Sequence, residues 1–222
     1  MDQKRIDKYF TIKPALKPIV ICAIIGIFTI PLAGLGIIFL LIAAFLARGF
    51  FGRATDAEVD AYVRETILPK QRDRALNKLG LEWEEVSAVK PIELWGYSVR
   101  DVLDIDSKYY VYYRGKDGKI RAPEVELNAF YFSENTVHYC RWVVSLVFER
   151  ERLTTNEIYY SDIVSVKQDV EDIDTSSGKV TTETFTIRNT GGEVVSCPTA
   201  NNSELENAVT AFRALLKAKK TA

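Results

Sequence analysis

Histidine, cysteine and methionine are scarce in this 222-residue chain, which has one histidine, three cysteines and one methionine. The single histidine, His138, excludes metal sites built from several histidines and makes a histidine-based catalytic triad hard to assemble. The cysteines form no disulfide framework and no pair at metal-ligand spacing. We interpret Cys140 and Cys197 as buried small apolar residues, and we predict no metal site.

A strong positive charge and a nucleotide-binding loop are also missing. The formal net charge is -1, whereas general nucleic-acid binding depends on an excess of lysine and arginine. Gly191 and Gly192 are followed by neither the lysine nor the helix of a phosphate-binding loop. The acidic stretch near Asp172 has Gly178 one position too late for a calcium loop, which indicates a hairpin tip. We predict a protein that is not an enzyme, uses no cofactor and binds no nucleic acid.

Charge is absent over about thirty residues, from Pro18 to Ala47. A bilayer core about 30 Å thick requires about 20 apolar residues in helical form. A domain of this size cannot hide so many apolar side chains, so the sequence predicts that residues 18–53 lie in a membrane. One straight helix over this stretch would be about 45 Å long, well beyond the bilayer core.

The middle of the apolar stretch contains helix-interrupting residues, namely Pro31, Gly34 and Gly36. Either one kinked helix spans the bilayer, or two helices at about 18–30 and 34–50 form a hairpin. Basic residues mark the cytoplasmic side, and they flank both ends: Lys13, Lys17, Arg48 and Arg53. This symmetry favours the hairpin. It predicts the inner (cytoplasmic) membrane as the location, with the rest of the chain in the cytosol.

A helical connector follows the apolar stretch. Thr55 and Glu58 have the spacing of a capping box, and Gly80 is a natural helix end. We predict helices at 55–68 and 70–80, separated at Pro69.

From Val89 onward the sequence is typical of short β-strands separated by turn residues. The predicted strands are 92–99, 109–114, 127–133, 136–148, 153–160, 163–170, 180–188 and 193–197. Ser203 and Glu206 then form a second capping box before an apolar stripe at helical spacing, which predicts an amphipathic C-terminal helix. The tyrosines at 109–113 alternate over both faces of their strand, so Tyr110 and Tyr112 are a candidate partner surface.

This order of strands and one final helix resembles a bacterial pleckstrin-homology-like domain over about residues 125–218. The segments that carry the resemblance are 129–139, 157–166, 185–192 and 204–216. The resemblance implies binding or scaffolding, often through self-association, and not catalysis. The basic pocket that some members use for inositol phosphates has no counterpart, because Asp117 and Glu124 dilute Lys116, Lys119 and Arg121.

The predicted fold class is α+β. It comprises an N-terminal transmembrane or re-entrant helical hairpin, a short helical connector, and an antiparallel β-barrel or sandwich of pleckstrin-homology-like type capped by a C-terminal amphipathic helix. The predicted divisions are a basic cytosolic tail (1–17), a membrane hairpin (18–53), a connector (54–88) and the β domain with its final helix (89–222).

The predicted function is that of a membrane-anchored, non-enzymatic scaffold or adaptor that self-associates through the hairpin and the β domain. Its expected partners are the lipid bilayer, further copies of itself, or another membrane protein. Two alternatives stay open: an accessory or sensor subunit of another membrane complex, and a lipid-binding or lipid-transfer protein.

Overall fold

The computed structural model describes residues 3–11, 15–30, 35–49, 51–98, 102–105, 111–175, 178–199 and 202–221. The helices in these residues are α1 (Gln3–Phe10), α2 (Leu16–Thr29), α3 (Leu35–Ala47), α4 (Asp56–Tyr62), α5 (Leu68–Leu79), α6 (Trp83–Val86) and α7 (Asn202–Thr221). The strands are β1 (Ile92–Tyr97), β2 (Tyr113–Arg114), β3 (Ile120–Arg121), β4 (Glu124–Phe132), β5 (Thr136–Ser145), β6 (Glu151–Tyr159), β7 (Ile163–Thr175), β8 (Gly178–Asn189) and β9 (Gly192–Thr199).

The strands form three antiparallel sheets, with orders β1-β4-β5-β6, β2-β3 and β7-β8-β9. The four-stranded sheet lies in the middle of the molecule. One of its faces packs against α7 and the three-stranded sheet, in a core that includes Phe130, Phe185 and Phe212. Its other face packs against α1 and α4, in a core that includes Leu127 and Trp142. Because both faces are covered, every residue of β4 is buried.

The helical connector is continuous through Pro69. A π-helical turn at Val63–Ile67 joins α4 to α5. Proline lacks a backbone N–H and its ring clashes with the carbonyl four residues earlier, and the wider π-turn accommodates both. The predicted break at Pro69 is therefore absent, whereas the Thr55–Glu58 capping box and the end at Gly80 (φ 68°) are confirmed.

The segment predicted as a basic tail contains a helix that belongs to the core. Ile6, Tyr9 and Phe10 of α1 are buried against Val125 and Leu146. Their spacing of three and four residues places them on one face of the helix. The N-terminal segment thus packs directly on the central sheet.

The predicted fold class is wrong in its membrane part. A hairpin that crosses a bilayer needs long apolar helices, and no helix in the described part of the chain combines the necessary length and apolar character. The apolar stretch is divided into α2 with 14 residues and α3 with 13 residues. These helices are about 21 and 20 Å long, against about 30 Å of hydrocarbon.

The predicted alternative of a closed β-barrel is wrong for the described strands. The α+β class with antiparallel sheets is what the structure has, but the described strands are divided among separate open sheets. The physical reason lies at Tyr160–Asp162, a 3₁₀ turn that directs the chain away from β6 and into the three-stranded sheet. The predicted C-terminal helix is confirmed as α7, which covers the core through Leu205, Val209 and Phe212.

Candidate functional site

Large apolar side chains are exposed along both α2 and α3, which we call the apolar helical pair. Phe28 is 77% exposed, Phe45 72% and Leu41 65%. Further exposed side chains on the pair or directly beside it are Leu16, Val20, Ile21, Ile24, Ile25, Ile27, Ile30, Ile37, Ile38 and Ile42. In other proteins, an exposed apolar surface of this extent is typical of sites that contact a membrane or another protein.

The two helices touch through their backbones at Gly26 and Gly36. A Cβ on Gly36 would lie 2.5 Å from the Gly26 carbonyl oxygen and 2.6 Å from the backbone nitrogen of Ile30. A Cβ on Gly26 would lie 2.8 Å from Cγ of Leu40. Only glycine permits this approach, as at other close helix contacts. Gly36, predicted as a turn residue, therefore lies within α3 as a packing residue, and the other predicted turn residues, Pro31 and Gly34, lie outside the described residues.

The open end of the helical pair is basic. Because a short connection joins the packed helices, they run antiparallel, and the start of α2 lies at the same end as the finish of α3. Lys17 and Arg48 are both exposed at this end. Lys13, predicted with them, lies outside the described residues.

Arg53 joins the end of α3 to the end of α1. Its Nε donates to the Gly49 carbonyl oxygen at 3.1 Å, and its Nη1 donates to the carbonyl oxygens of Thr11 at 3.1 Å and Tyr9 at 3.4 Å. Burial lowers the pKa of Arg53, although the group stays charged at neutral pH. Arg53 is thus a fixed cation at the base of the helical pair.

A cavity of about 350 Å³ opens beside Arg53. We call it the junction cavity, because its walls come from α1, from the segment after α3, from α4, and from the β2–β3 turn. The polar and aromatic side chains that line it belong to Tyr9, Arg53, Thr55, Asp56, Tyr113 and Lys116.

Asp56 is the acidic residue among the described residues that line the junction cavity, and each of its carboxylate oxygens accepts a hydrogen bond. Tyr9 Oη donates to Oδ1 at 2.8 Å, and the Lys116 backbone N–H donates to Oδ2 at 3.0 Å. Burial raises the pKa of Tyr9, and the Asp56 hydrogen bond raises it further. Tyr9 therefore stays a neutral donor to Asp56.

A buried ion-pair cluster lies next to the junction cavity. Arg121 is only 1% exposed at its side chain. It donates from Nε and Nη2 to Asp60 at 2.9 and 2.6 Å, and from Nη1 and Nη2 to Asp117 at 3.0 and 2.8 Å. Tyr97 Oη also donates to Asp60, at 2.8 Å. We call these four residues the Arg121 cluster.

The Arg121 cluster keeps its charges through mutual hydrogen bonds. Burial alone would lower the pKa of Arg121, but the Asp117 and Asp60 hydrogen bonds raise it above its usual range. The hydrogen bond from Arg121 lowers the pKa of Asp117 to about 2. Burial raises the pKa of Tyr97, so this side chain is a neutral donor. The cluster joins α4, β1 and the β2–β3 hairpin into one rigid junction beside the helical pair.

A second set of buried polar side chains lies on the opposite face of the central sheet. Arg141 Nη2 donates to Glu126 Oε2 at 2.6 Å, and Asn128 Nδ2 donates to Glu126 Oε1 at 3.2 Å. Tyr139 Oη donates to Asn128 Oδ1 at 2.6 Å and lies 3.8 Å from Cys197 Sγ. Burial raises the pKa of Cys197 well above its usual value, so the thiol is protonated and unreactive.

His138 is buried in β5. Its Nε2 lies 3.2 Å from both Ser133 Oγ and Thr136 Oγ1, and its Nδ1 lies 3.6 Å from Glu157 Oε1. The contact with Glu157 is too long for a hydrogen bond. Ser133 Oγ also lies 2.5 Å from Thr136 Oγ1, so these side chains hold the β4–β5 turn.

The predicted partner surface is only partly described. Tyr112 is half-buried, and Tyr110 lies outside the described residues. Tyr112 does not line the junction cavity, whose aromatic residues in the described part of the chain are Tyr9 and Tyr113.

The roles of Tyr9, Asp60 and Arg121 were not predicted from the sequence. The signal for α1 was available, because Ile6, Tyr9 and Phe10 have helical spacing. The Arg121–Asp60 pair had no such signal, since it forms only when the β2–β3 hairpin folds onto α4.

Among the described residues there is no group of three histidine, cysteine or carboxylate side chains arranged to hold a metal ion. Comparison of the chain with protein families, curated proteins and solved structures finds no match.

Proposed function

We propose that this protein is a non-enzymatic scaffold or adaptor that binds a lipid bilayer through the apolar helical pair and self-associates there. The observation that carries the proposal is the exposure of aromatic and aliphatic side chains on both helices, led by Phe28 and Phe45. Removing apolar surface from water stabilises a protein by about 25 cal/mol per Å². Acyl chains of the facing leaflet remove this surface from water without requiring the helices to cross the bilayer.

The position of the basic residues supports a bilayer as the partner. Lys17 and Arg48 lie at the open end of the pair, where the apolar surface stops and the folded domain begins. Lysine and arginine at such a boundary attract anionic lipid headgroups. The charge pattern therefore matches the headgroup region, with the apolar side chains beyond it.

The rigid junction and the pleckstrin-homology-like resemblance support the scaffold role. Arg53 and the Arg121 cluster fix α1, α4 and the β2–β3 hairpin to one another beside the helical pair. A domain fixed in this way presents the same surface from every copy. Tethering to a membrane raises the local concentration of copies, so weak contacts between domains suffice for assembly.

Flotation with phosphatidylcholine vesicles tests the membrane anchor. The full-length wild-type chain is expected to float, and Phe28→Asp/Phe45→Asp is expected to reduce the floating fraction at least tenfold. Val164→Asp is the matched control, because Val164 is 63% exposed on β7, away from the pair. Equal flotation of the double variant and the control would refute the anchor.

The mass of the particle in lipid nanodiscs tests self-association. A discrete multiple of the chain mass is expected for the wild type, at protein-to-disc ratios that allow several copies per disc. A single chain per particle at every ratio would contradict the scaffold proposal while leaving the membrane anchor intact.

A further inference from the structure

The junction cavity lies where a lipid headgroup would lie if the helical pair contacts acyl chains. Arg53, one of its lining residues, donates to the carbonyl oxygen of Gly49, which comes two residues after the end of α3. Lys8 lies close to the segment that follows α3, since its Nζ is 3.6 Å from the position that a Cβ on Gly52 would take. The cavity thus opens beside the basic end of the helical pair.

The charges that line the junction cavity favour an anion. Among the described residues that line it, Arg53 and Lys116 are cations and Asp56 is a carboxylate. Asp56 is already neutralised in part, because Tyr9 Oη and the Lys116 backbone N–H donate to it and Arg121 Nη1 lies 4.0 Å away. Within the described part of the chain, the Lys116 ammonium makes no ion pair.

The size and chemistry of the cavity narrow the class of anion. A volume of about 350 Å³ is at the lower end of the range for small-molecule sites and is larger than the volume of a bare phosphate ion. Phosphate oxygens accept hydrogen bonds from lysine and arginine. The rings of Tyr9 and Tyr113, whose centroids are 4.9 Å apart, give one side of the cavity an apolar wall. A phosphate that carries a small glycerol-type substituent satisfies both features.

We infer that the junction cavity binds the phosphodiester headgroup of an anionic glycerophospholipid, with Lys116 and Arg53 on the phosphate. This inference rests on the proposed membrane function, because the bilayer delivers the headgroup to the cavity. The site gives the protein a preference among lipids, in addition to the general affinity of the apolar helical pair. The site also lies directly beside the Arg121 cluster, since Lys116 of the cavity and Asp117 of the cluster are neighbours in the β2–β3 turn.

Vesicle binding with paired lysine variants tests the inference. Binding of the full-length chain is measured with phosphatidylcholine vesicles and with phosphatidylcholine vesicles that contain phosphatidylglycerol. Lys116→Gln is compared with Lys119→Gln, which removes the same charge from the same turn but does not line the cavity. Removing one surface cation weakens attraction to an anionic leaflet by about fivefold. A site-specific contact predicts a loss of tenfold or more for Lys116→Gln, on anionic vesicles only, and recovery in Lys116→Arg.

The outcomes separate the site from the membrane anchor. Failure of the wild type to bind either kind of vesicle would refute the proposed function itself. Binding to both kinds with equal losses for the two glutamine variants would refute the site and leave the anchor standing. Soluble glycerol 3-phosphate is the competitor that identifies the source of the phosphate. If it binds the cavity while the wild type has no preference for phosphatidylglycerol, the lipid assignment is overturned in favour of a soluble phosphate ester.

Discussion

Arg121 and Asp60 form a two-point ion pair that joins residues 61 positions apart in the chain. Asp60 lies on α4, whereas Arg121 lies on β3, and the arginine side chain is almost completely buried. Asp117 approaches the same guanidinium from the β2–β3 turn. Together with the contact between the Tyr9 and Tyr113 rings, whose centroids are 4.9 Å apart, this pair holds the β2–β3 hairpin against α1 and α4.

Arg121→Met is expected to destabilise the folded protein by about 3 kcal/mol, because it leaves Asp60 and Asp117 without their shared cation. Chemical unfolding, followed by circular dichroism in mild detergent, measures the change. Arg121→Lys keeps the charge but loses the paired donors, so it is expected to recover only part of the stability. Arg114→Met, on the exposed part of the same hairpin, is the control with an expected loss below about 1 kcal/mol. Similar losses for the Arg121 and Arg114 methionine variants would contradict the role of the cluster.

The Asp117–Arg121 contact predicts a specific pH dependence. Since the hydrogen bond from Arg121 lowers the pKa of Asp117 to about 2, the folded state favours the ionised carboxylate. An unfolded aspartate has a pKa of about 3.9. The stabilisation is therefore complete above about pH 4 and is lost as the pH falls towards 2. The difference in unfolding free energy between wild type and Asp117→Asn is expected to shrink over this window. A constant difference from pH 6 to pH 2 would count against the contact.

The sequence predicted local features well, because they depend on residues close together in the chain. Thr55 and Glu58 form their capping box, and Gly80 ends α5 with the left-handed backbone that glycine tolerates. The C-terminal helix is present for the same reason, since its apolar stripe repeats at helical period. The buried state of Cys140 and Cys197 was also predicted correctly.

Features that depend on distant residues or on helix length were not predictable in the same way. The sequence predicted two helices in the apolar stretch, but it did not predict that Gly26 and Gly36 would be their point of backbone contact. The junction cavity combines Tyr9, Arg53 and Lys116, which come from three separate segments. No local pattern relates such residues, and only the fold brings them together.

Gly36→Val is expected to separate α2 from α3, because any Cβ at this position meets the backbone of Gly26 and Ile30. Hydrogen exchange followed by mass spectrometry measures the effect, with at least tenfold faster exchange expected for the amides of both helices. Ala44→Leu is the control, since Ala44 is exposed on α3 and accepts a larger side chain. Unchanged exchange in Gly36→Val would mean that the close backbone contact does not hold the pair together.

The three cysteines are expected to differ sharply in thiol reactivity. Cys140 and Cys197 are buried, and burial raises the pKa of Cys140 to about 11, so little thiolate forms at pH 8. Cys22 on α2 is partly exposed and is the thiol that a small maleimide should modify in the folded protein. Mass spectrometry is expected to find one adduct per native chain and three after denaturation.

An environment-sensitive fluorophore placed on Cys22 then reports on the bilayer. Lipids with acyl-chain quenchers should reduce its emission, but not that of the same fluorophore on exposed Ser87 in Cys22→Ala/Ser87→Cys. Equal quenching at both positions would contradict a lipid contact confined to the helical pair.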